Sequence, residues 1–126
     1  MKGRVVVDEY AADPPKNHEL RAAKIMAEYF GADVIFMRVG FGKTADFRIK
    51  ATTWELKSPK GSAKNTIGNN LRKARHQSPK IILDLSRCGF TDERAISKIK
   101  DYLSKYKANI KKVVVIRKDK KVIEIL

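Results

Sequence analysis

The sequence has a single cysteine, Cys88, among 126 residues. It therefore excludes an internal disulfide and a zinc site built on cysteines, and Cys88 is expected to be a small buried side chain. No apolar run approaches the roughly 20 residues of a membrane-spanning helix, and the N-terminus lacks the apolar stretch of a secretory signal. With 43% hydrophobic residues, the chain can bury the core of one compact domain, residues 1–126.

Acidic residues are scarce in the middle of the chain. The protein has 28 Lys and Arg against 14 Asp and Glu, a net charge of +14, which favours nucleic acid as a partner. Residues 1–33 hold five basic and six acidic side chains, whereas residues 34–83 hold eleven basic side chains and two acids, Asp46 and Glu55. A merely soluble basic surface would explain the excess of charge. It would not explain two carboxylates isolated in a strongly basic segment.

Hydrophobic periodicity predicts the element order β-α-β-β-β-α-β-α-β-β. Strands are expected at 4–7, 33–38, 80–85, 112–117 and 122–126, with a hairpin inside 44–58, and helices at 17–30, 66–77 and 91–105. Asn17 and Thr91 are the expected N-caps of the first and third helices, and Gly31 the end of the first. This order predicts an α/β fold with a mixed central sheet flanked by helices.

The alternation of side chains in segment 44–58 places Asp46 opposite Glu55, if the hairpin turns at Lys50-Ala51. Carboxylates that face each other across two strands repel. A divalent cation would convert them into ligands, since Mg²⁺ prefers one or two carboxylates with water and phosphate oxygens. Lys57, on the same face, could orient or deprotonate a water or stabilise charge on a phosphate. The alternative is a solvated strand face with cross-strand ion pairs.

Glu19 shares a helical face with Ala23, Met26 and Phe30, at the spacing of the buried stripe. A carboxylate on a buried face is unfavourable unless it is paired, which would bring Glu19 to the same metal site. Alternatively, Glu19 complements the helix dipole from the first turn. Periodicity alone does not choose between these two roles.

Asp46 followed by Glu55-Leu56-Lys57 resembles the core motif of the PD-(D/E)XK nuclease superfamily. In that superfamily an acidic residue, a Glu-x-Lys on the next strand and a glutamate on an N-terminal helix form the metal site. One departure is Ala45, where the superfamily motif has proline. The resemblance implies a restriction-endonuclease-like fold and a divalent metal, Mg²⁺ first with Mn²⁺ or Zn²⁺ as alternatives. The catalytic residues that it implies are Glu19, Asp46, Glu55 and Lys57, of which the three acids would bind the metal.

Longer segments are similar to the toxic C-terminal nuclease domains of contact-dependent growth inhibition proteins. These segments are 18–23, 54–61, 65–78 and 81–85. Many such domains are implied to cut tRNA. The resemblance therefore implies an endonuclease that cleaves tRNA as a toxin in interbacterial competition. It would act in the cytoplasm of the target cell, either free-standing or delivered as part of a larger protein, without stable membrane association and under control of an acidic cognate inhibitor.

The loop and helix after the Glu-x-Lys motif supply the candidate nucleic-acid contacts. The residues expected to line a groove beside the metal are Lys60, Lys64, Asn65, Thr66, Arg72, Arg75 and His76. Asn65 and Thr66 are also expected to cap the helix. Since the apolar residues fix the buried side of this helix, we expect Arg72, with Arg75 or His76, to contact the substrate and Lys73 to stay solvated.

Two other functions remain open from the residues alone. A DNA endonuclease of the restriction or junction-resolving type would use the same metal chemistry. A non-catalytic nucleic-acid-binding module would carry dispersed acids, or acids neutralised by Arg48 and Lys43. Binding of a divalent metal separates either enzyme from the module, because a pure binder requires none.

Overall fold

A computed structural model describes residues 3–7, 15–37 and 46–126. Its helices are α1 (Asn17–Phe30), α2 (Thr66–Arg75) and α3 (Asp92–Lys105), and its strands are β1 (Val5–Val6), β2 (Val34–Phe36), β3 (Phe47–Ile49), β4 (Thr52–Lys57), β5 (Lys80–Asp84), β6 (Lys112–Ile116) and β7 (Val122–Glu124). The predicted element order is confirmed. Residue 38 of the predicted strand 33–38, Lys43 and Ala45 lie outside the described residues.

All seven strands form one mixed sheet in the order of the chain. Pairs β1–β2, β4–β5 and β5–β6 are parallel, while β2–β3, β3–β4 and β6–β7 are antiparallel. Strands β1, β2, β4, β5 and β6 therefore all end at one side of the sheet, here called its carboxyl end. Ligand sites of open α/β sheets lie outside this end, because the loops and helix N-termini that follow the strands converge there.

Helices cover both faces of the sheet, as predicted. Helices α2 and α3 bury Ile67 and Ile99 against the face that carries Ile81, and α1 buries Met26 against the face that carries Ile82. Strand β5 is thus covered on both sides, which explains its continuous apolar sequence. The predicted mixed α/β fold with a central sheet is confirmed, and its restriction-endonuclease-like form stays a prediction. None of the three described helices is long and apolar enough to cross a membrane.

The helix ends follow the sequence in part. Gly31 ends α1 in the left-handed conformation with φ of 60°, as predicted. Thr91 caps α3, where its side-chain oxygen accepts the backbone N–H of Arg94 at 3.2 Å. Two expectations are wrong: Asn17 is the first helical residue and not the cap of α1, and the side chain of Asn65, at the cap position of α2, makes no capping hydrogen bond.

Candidate active site

The two carboxylates predicted to face each other across the β3–β4 hairpin do so. Phe47 pairs with Trp54, which places Asp46, immediately before β3, opposite Glu55 on the face that carries α2. One Asp46 carboxylate oxygen, Oδ2, accepts the backbone N–H of Leu56 at 2.9 Å. The side chains of Asp46 and Glu55 also lie close enough for each to shift the pKa of the other. The hairpin therefore holds two acids in direct contact.

Burial of this pair shifts the titration of both acids. The Glu55 side chain is only 2% exposed. Its burial, followed by the charge and hydrogen bond of Asp46, raises its pKa to about 8 against the opposing effect of Lys57. Burial also raises the pKa of Asp46, although the Leu56 N–H lowers it. Without a cation, the pair therefore holds a shared proton at neutral pH, because two like charges in contact cannot both ionise freely.

Lys57 completes the predicted cluster. Its ammonium nitrogen Nζ lies 3.3 Å from Glu55 Oε2, which confirms that the two side chains share a face of β4. The Lys57 side chain is 21% exposed, since it stands at the carboxyl end of the sheet, where β4 ends. A solvent-accessible cation thus lies directly beside two buried carboxylates.

Glu19 lies beside this cluster and serves its own helix. Its carboxylate accepts the backbone N–H of Lys16 at 2.8 Å and so satisfies the N-terminus of α1 in place of an Asn17 cap. Its negative charge also raises the pKa of Asp46. Among the residues that the structure describes, no three or more His, Cys, Asp or Glu side chains form a potential metal-binding group. The structure brings Asp46, Glu55 and Lys57 together and leaves Glu19 as their neighbour.

Gln77 is a member of the site that sequence reasoning missed. It follows α2 and faces Glu55; with its amide nitrogen turned towards the carboxylate, it donates to Oε1 at 2.9 Å and also to Oε2. Next to it, the hydroxyl of Ser78 donates to the carbonyl of Thr53 at 3.2 Å and fastens this end of α2 to β4. The sequence contained a signal for this position. Gln77 follows Ala74 by three residues, the spacing that places two residues on the same face of a helix, and Ala74 is on the buried face.

A second polar cluster lies at the carboxyl end on the opposite face of the sheet. Asp84, at the end of β5, is fully buried and accepts hydrogen bonds from the backbone N–H and hydroxyl of Ser86 at 3.0 and 3.1 Å. Arg21 of α1 lies 3.8 Å from the same carboxylate. Sequence reasoning gave Asp84 no role. These contacts order the start of the loop after β5, and Arg87 of this loop donates to the carbonyl of Ser58 in the loop after β4 at 3.1 Å.

The predicted nucleic-acid contacts divide into two groups. Lys60, Lys64 and Asn65 are exposed, and Thr66 half-buried, in the segment that follows Lys57 at the carboxyl end. Their contact with nucleic acid stays a prediction. Arg72, Arg75 and His76 belong to the second half of α2, and their placement depends on how this helix is rotated about its axis.

The buried side of α2 is the one predicted, Ile67, Leu71 and Ala74, and the structure adds which neighbour lies on each flank. Gly68 faces α3, because a side-chain carbon there would lie 3.7 Å from Tyr102, whereas Gln77 faces Glu55. Arg72 lies one turn after Gly68 and shares its flank, and Lys73 lies one turn before Gln77 and shares the flank of Glu55. Arg72 therefore lies on the flank that faces α3 and Lys73 on the flank that faces Glu55, and their expected roles at the substrate stay predictions.

The two remaining predicted contacts, Arg75 and His76, lie at the end of α2. Arg75 lies seven residues after Gly68, two helical turns along the same flank, and is half-buried. His76, exposed at the end of the helix, belongs to neither flank. The contacts of Arg72, Arg75 and His76 with nucleic acid stay a prediction, since the buried stripe of a helix does not reveal which neighbour lies on each flank.

The raised pKa of Glu55 predicts a loss of stability with rising pH in the metal-free protein. Folded Glu55 keeps its proton up to about pH 8, whereas the unfolded chain loses it near 4.5. The folded state therefore binds more protons than the unfolded chain between pH 4.5 and about 8. The stability that protonated Glu55 contributes is full below pH 4.5 and is lost as the pH rises through about 8. At pH 8.5 in chelator, Glu55→Gln is expected to melt roughly 5–10 °C above the parent, since an uncharged amide avoids this loss.

Thermal unfolding of both proteins between pH 4.5 and 9 measures this effect. Glu28→Gln is the matched control, because Glu28 is an exposed glutamate on the same protein and its replacement should leave the pH profile unchanged. Parallel profiles for the parent and Glu55→Gln would show that Glu55 ionises normally in the fold.

Comparison with known proteins gives one family match and one similarity of fold. The family model for the contact-dependent growth inhibition CdiA C-terminal domain matches residues 43–122, a segment that contains Asp46, Glu55, Lys57 and Gln77. The fold is similar to that of a chain in the CdiA-CT/CdiI toxin and immunity complex from Burkholderia pseudomallei, with a TM-score of 0.63, 17% sequence identity and 98% of each chain covered. No curated protein matches the sequence.

Proposed function

We propose that this chain, which belongs to the family of contact-dependent growth inhibition CdiA C-terminal domains, is a toxin that cleaves tRNA as a metal-dependent endonuclease. The observation that carries the proposal is the buried contact between Asp46 and Glu55, with the Lys57 ammonium 3.3 Å from Glu55. Membership of the family supports a toxin. The chemistry of this cluster supports a hydrolase of phosphodiesters, because it joins hard oxygen ligands to a cation that can meet a phosphate.

The carboxylate pair fits a hard divalent cation. Asp46 and Glu55 offer oxygen donors in contact, and their raised pKa values show that this arrangement is unfavourable for two free negative charges. A cation at this place would favour the ionised form of both, which is the usual coupling between metal binding and proton release. Asp46 and Glu55 would hold Mg²⁺, or Mn²⁺ or Zn²⁺, with Glu19 as a candidate third ligand. Such an ion makes water more acidic and polarises the phosphoryl group.

The surrounding side chains have roles that follow from their contacts. Gln77 donates to the Glu55 carboxylate and fixes its orientation. Lys57 carries its Nζ at the solvent-accessible side of the pair, where it can stabilise negative charge that builds on the phosphoryl oxygens, or accept a proton from the attacking water after losing its own. Water hydrolysis breaks one phosphorus–oxygen bond and leaves a phosphate end and a hydroxyl end.

The charge distribution supports nucleic acid as the substrate. Segment 34–83 has eleven basic and two acidic residues, an excess of nine, and its Lys60, Lys64 and Lys73 are exposed. Lysines at such positions bind phosphates and set the position of a strand without selecting its sequence. The preference for tRNA over DNA rests on the family and on the sequence resemblance, since the metal chemistry suits both.

A digest of total RNA and of plasmid DNA tests the proposed function. With Mg²⁺ we expect discrete tRNA fragments and intact plasmid, and with chelator no fragments. Glu55→Gln, purified in parallel, controls for contaminating ribonucleases. Cleavage of the plasmid alone would make the protein a DNA endonuclease, and retardation of RNA without cleavage under any metal condition would make it a binding module.

We also expect an acidic cognate immunity protein that covers the carboxyl end of the sheet. The solved similar structure is described as a toxin and immunity complex, and a net charge of +14 favours an acidic partner. Complementary charge would speed association, so the rate constant should fall about tenfold or more between 50 and 500 mM salt. Stopped-flow association measures this. An inhibitor that binds while leaving metal and RNA access open would contradict the expected position.

A further inference from the structure

A groove separates α2 from α3 on the flank of α2 that faces away from Glu55. Its volume is about 520 Å³, and it extends from Lys64, before α2, to Tyr106, after α3. Gly68 keeps the floor of this groove open, since the nearest atom to a side-chain carbon at this position would be a ring carbon of Tyr102 at 3.7 Å. The groove is therefore distinct from the Asp46–Glu55 site and reaches the carboxyl end of the sheet at Lys64.

The charge of the groove suits a polyanion. Its lining includes three lysines, Lys64, Lys98 and Lys105, and one acid, Asp101. That acid is already paired with Lys105, at 3.4 Å. The Nζ of Lys98 lies over the Phe90 ring, 4.9 Å from its centroid, a contact that leaves its N–H groups able to donate to a phosphate. The polar side chains of Asn65 and Ser97 also line the groove and can donate to phosphate or sugar oxygens.

An exposed aromatic ring lies at the far end of the groove. Tyr106 is 53% exposed, and its ring lies 5.0 Å from that of Tyr102 at 42°. The hydrocarbon of a large exposed ring is unfavourable in water, whereas a ring beside lysines offers a stacking face to an unpaired base. Lysines that follow a backbone and an aromatic ring that stacks on bases are the combination that proteins use for single strands.

We propose that the groove between α2 and α3 binds a single-stranded segment of the RNA substrate. Lys64 and Lys98 hold phosphates, and Tyr106 stacks on a base. This inference rests on the proposed function and adds a second binding surface to it. The groove and the catalytic pair lie on opposite flanks of one helix, about 10–12 Å across with its side chains, so one RNA that passes over the loop containing Lys64 reaches both.

Binding of a 5′-labelled single-stranded RNA of about twelve nucleotides, a length typical of such sites, tests the inference in the Glu55→Gln protein. Fluorescence anisotropy at several salt concentrations gives the affinity for this RNA and its salt dependence.

The variants have distinct expected results. Tyr106→Ala should weaken binding about tenfold without changing the salt dependence, and Tyr106→Phe should restore the affinity. Lys98→Ala should weaken binding and reduce the slope of log affinity against log salt by about 0.7. Gly68→Leu, which fills the groove without removing charge, should weaken binding like Tyr106→Ala.

Lys100→Ala is the matched control, because Lys100 is an exposed lysine of α3 on the side away from Lys98. The groove is excluded if Tyr106→Ala and Lys98→Ala bind the RNA as Lys100→Ala does. It is also excluded if Tyr106→Ala weakens binding of polyglutamate as much as binding of RNA, since the surface would then suit an acidic protein. The digest decides the proposed function separately: a protein that cuts tRNA but fails this test lacks only the groove contact.

Discussion

Replacing Glu55 with Gln is expected to lower the rate of tRNA cleavage by about 10³-fold or more. The proposed metal site requires the ionised carboxylates of both Asp46 and Glu55, and the amide of Gln cannot ionise. The substitution keeps the volume of a side chain that is 2% exposed. It also removes one of two like charges in contact, so the fold should be retained. Cleavage at saturating RNA and a titration with Mg²⁺ measure the chemical step and the metal affinity separately.

Asp46 requires a more careful substitution than Glu55. Its Oδ2 accepts the Leu56 N–H at 2.9 Å, so Asp46→Ala would leave a backbone donor unpaired in the half-buried hairpin, at a cost of about 1–3 kcal/mol. Asp46→Asn retains an oxygen acceptor for this bond. We therefore expect Asn to abolish cleavage with little change in melting temperature, and Ala to abolish cleavage with a clear loss of stability.

Glu28→Gln again serves as the control, because it removes an exposed carboxylate of α1 far along the helix from Glu19. Its cleavage rate should equal that of the parent. If Glu55→Gln or Asp46→Asn kept the parental rate at ordinary Mg²⁺, the assignment of the metal site to this pair would be wrong.

The Asp46–Glu55 contact could be predicted because the signals that define it are local. Strand side chains alternate with a period of two, and the turn at Lys50-Ala51 fixes the register in which Phe47 meets Trp54. Once that register is set, the acids one position beyond this pair must face each other. The same locality explains the continuous apolar sequence of β5, whose residues Ile81, Ile82 and Leu83 are all fully buried.

The contacts of α2 could not be predicted in the same way. Its apolar residues define a buried stripe, but a stripe is symmetric with respect to its two flanks. Only the tertiary structure shows that Gly68 faces Tyr102 and that Gln77 faces Glu55. Sequence periodicity therefore gave the right buried side for this helix and did not indicate that Arg72 lies on the flank of Gly68.

Glu19 shows a second limit of periodicity. The spacing of Glu19 placed it on the buried stripe of α1. Its position in the first turn was equally consistent with a carboxylate that stabilises the N-terminus of the helix. The hydrogen bond from Lys16 N–H at 2.8 Å establishes the second role, and the raised pKa of Asp46 shows that the two carboxylates still sense each other. One side chain can serve both a helix terminus and a nearby charge cluster, which spacing alone does not reveal.

Lys57→Ala is expected to lower the cleavage rate by about 10²–10⁴-fold while the affinity for RNA changes by less than about threefold. The reason is that Nζ acts on charge or a proton that develops only in the transition state, so its loss affects turnover and not binding of the ground state. Lys60→Ala is the matched control. Lys60 is an exposed lysine three residues further along the chain, and its loss should weaken RNA binding without changing the rate at saturation.

One indirect effect of the Lys57 substitution must be separated from the chemical one. Lys57 lowers the pKa of Glu55, so its removal favours the protonated carboxyl and weakens metal binding near neutral pH. Rates should therefore be measured at saturating Mg²⁺, which favours the ionised form of Glu55 in both proteins, and at pH values up to about 9. If the rate returned to the parental value under these conditions, the role of Lys57 would be limited to lowering the pKa of Glu55. Equal losses of affinity and turnover would make it a phosphate contact, whereas a persistent loss of rate alone places its charge at the reacting phosphate.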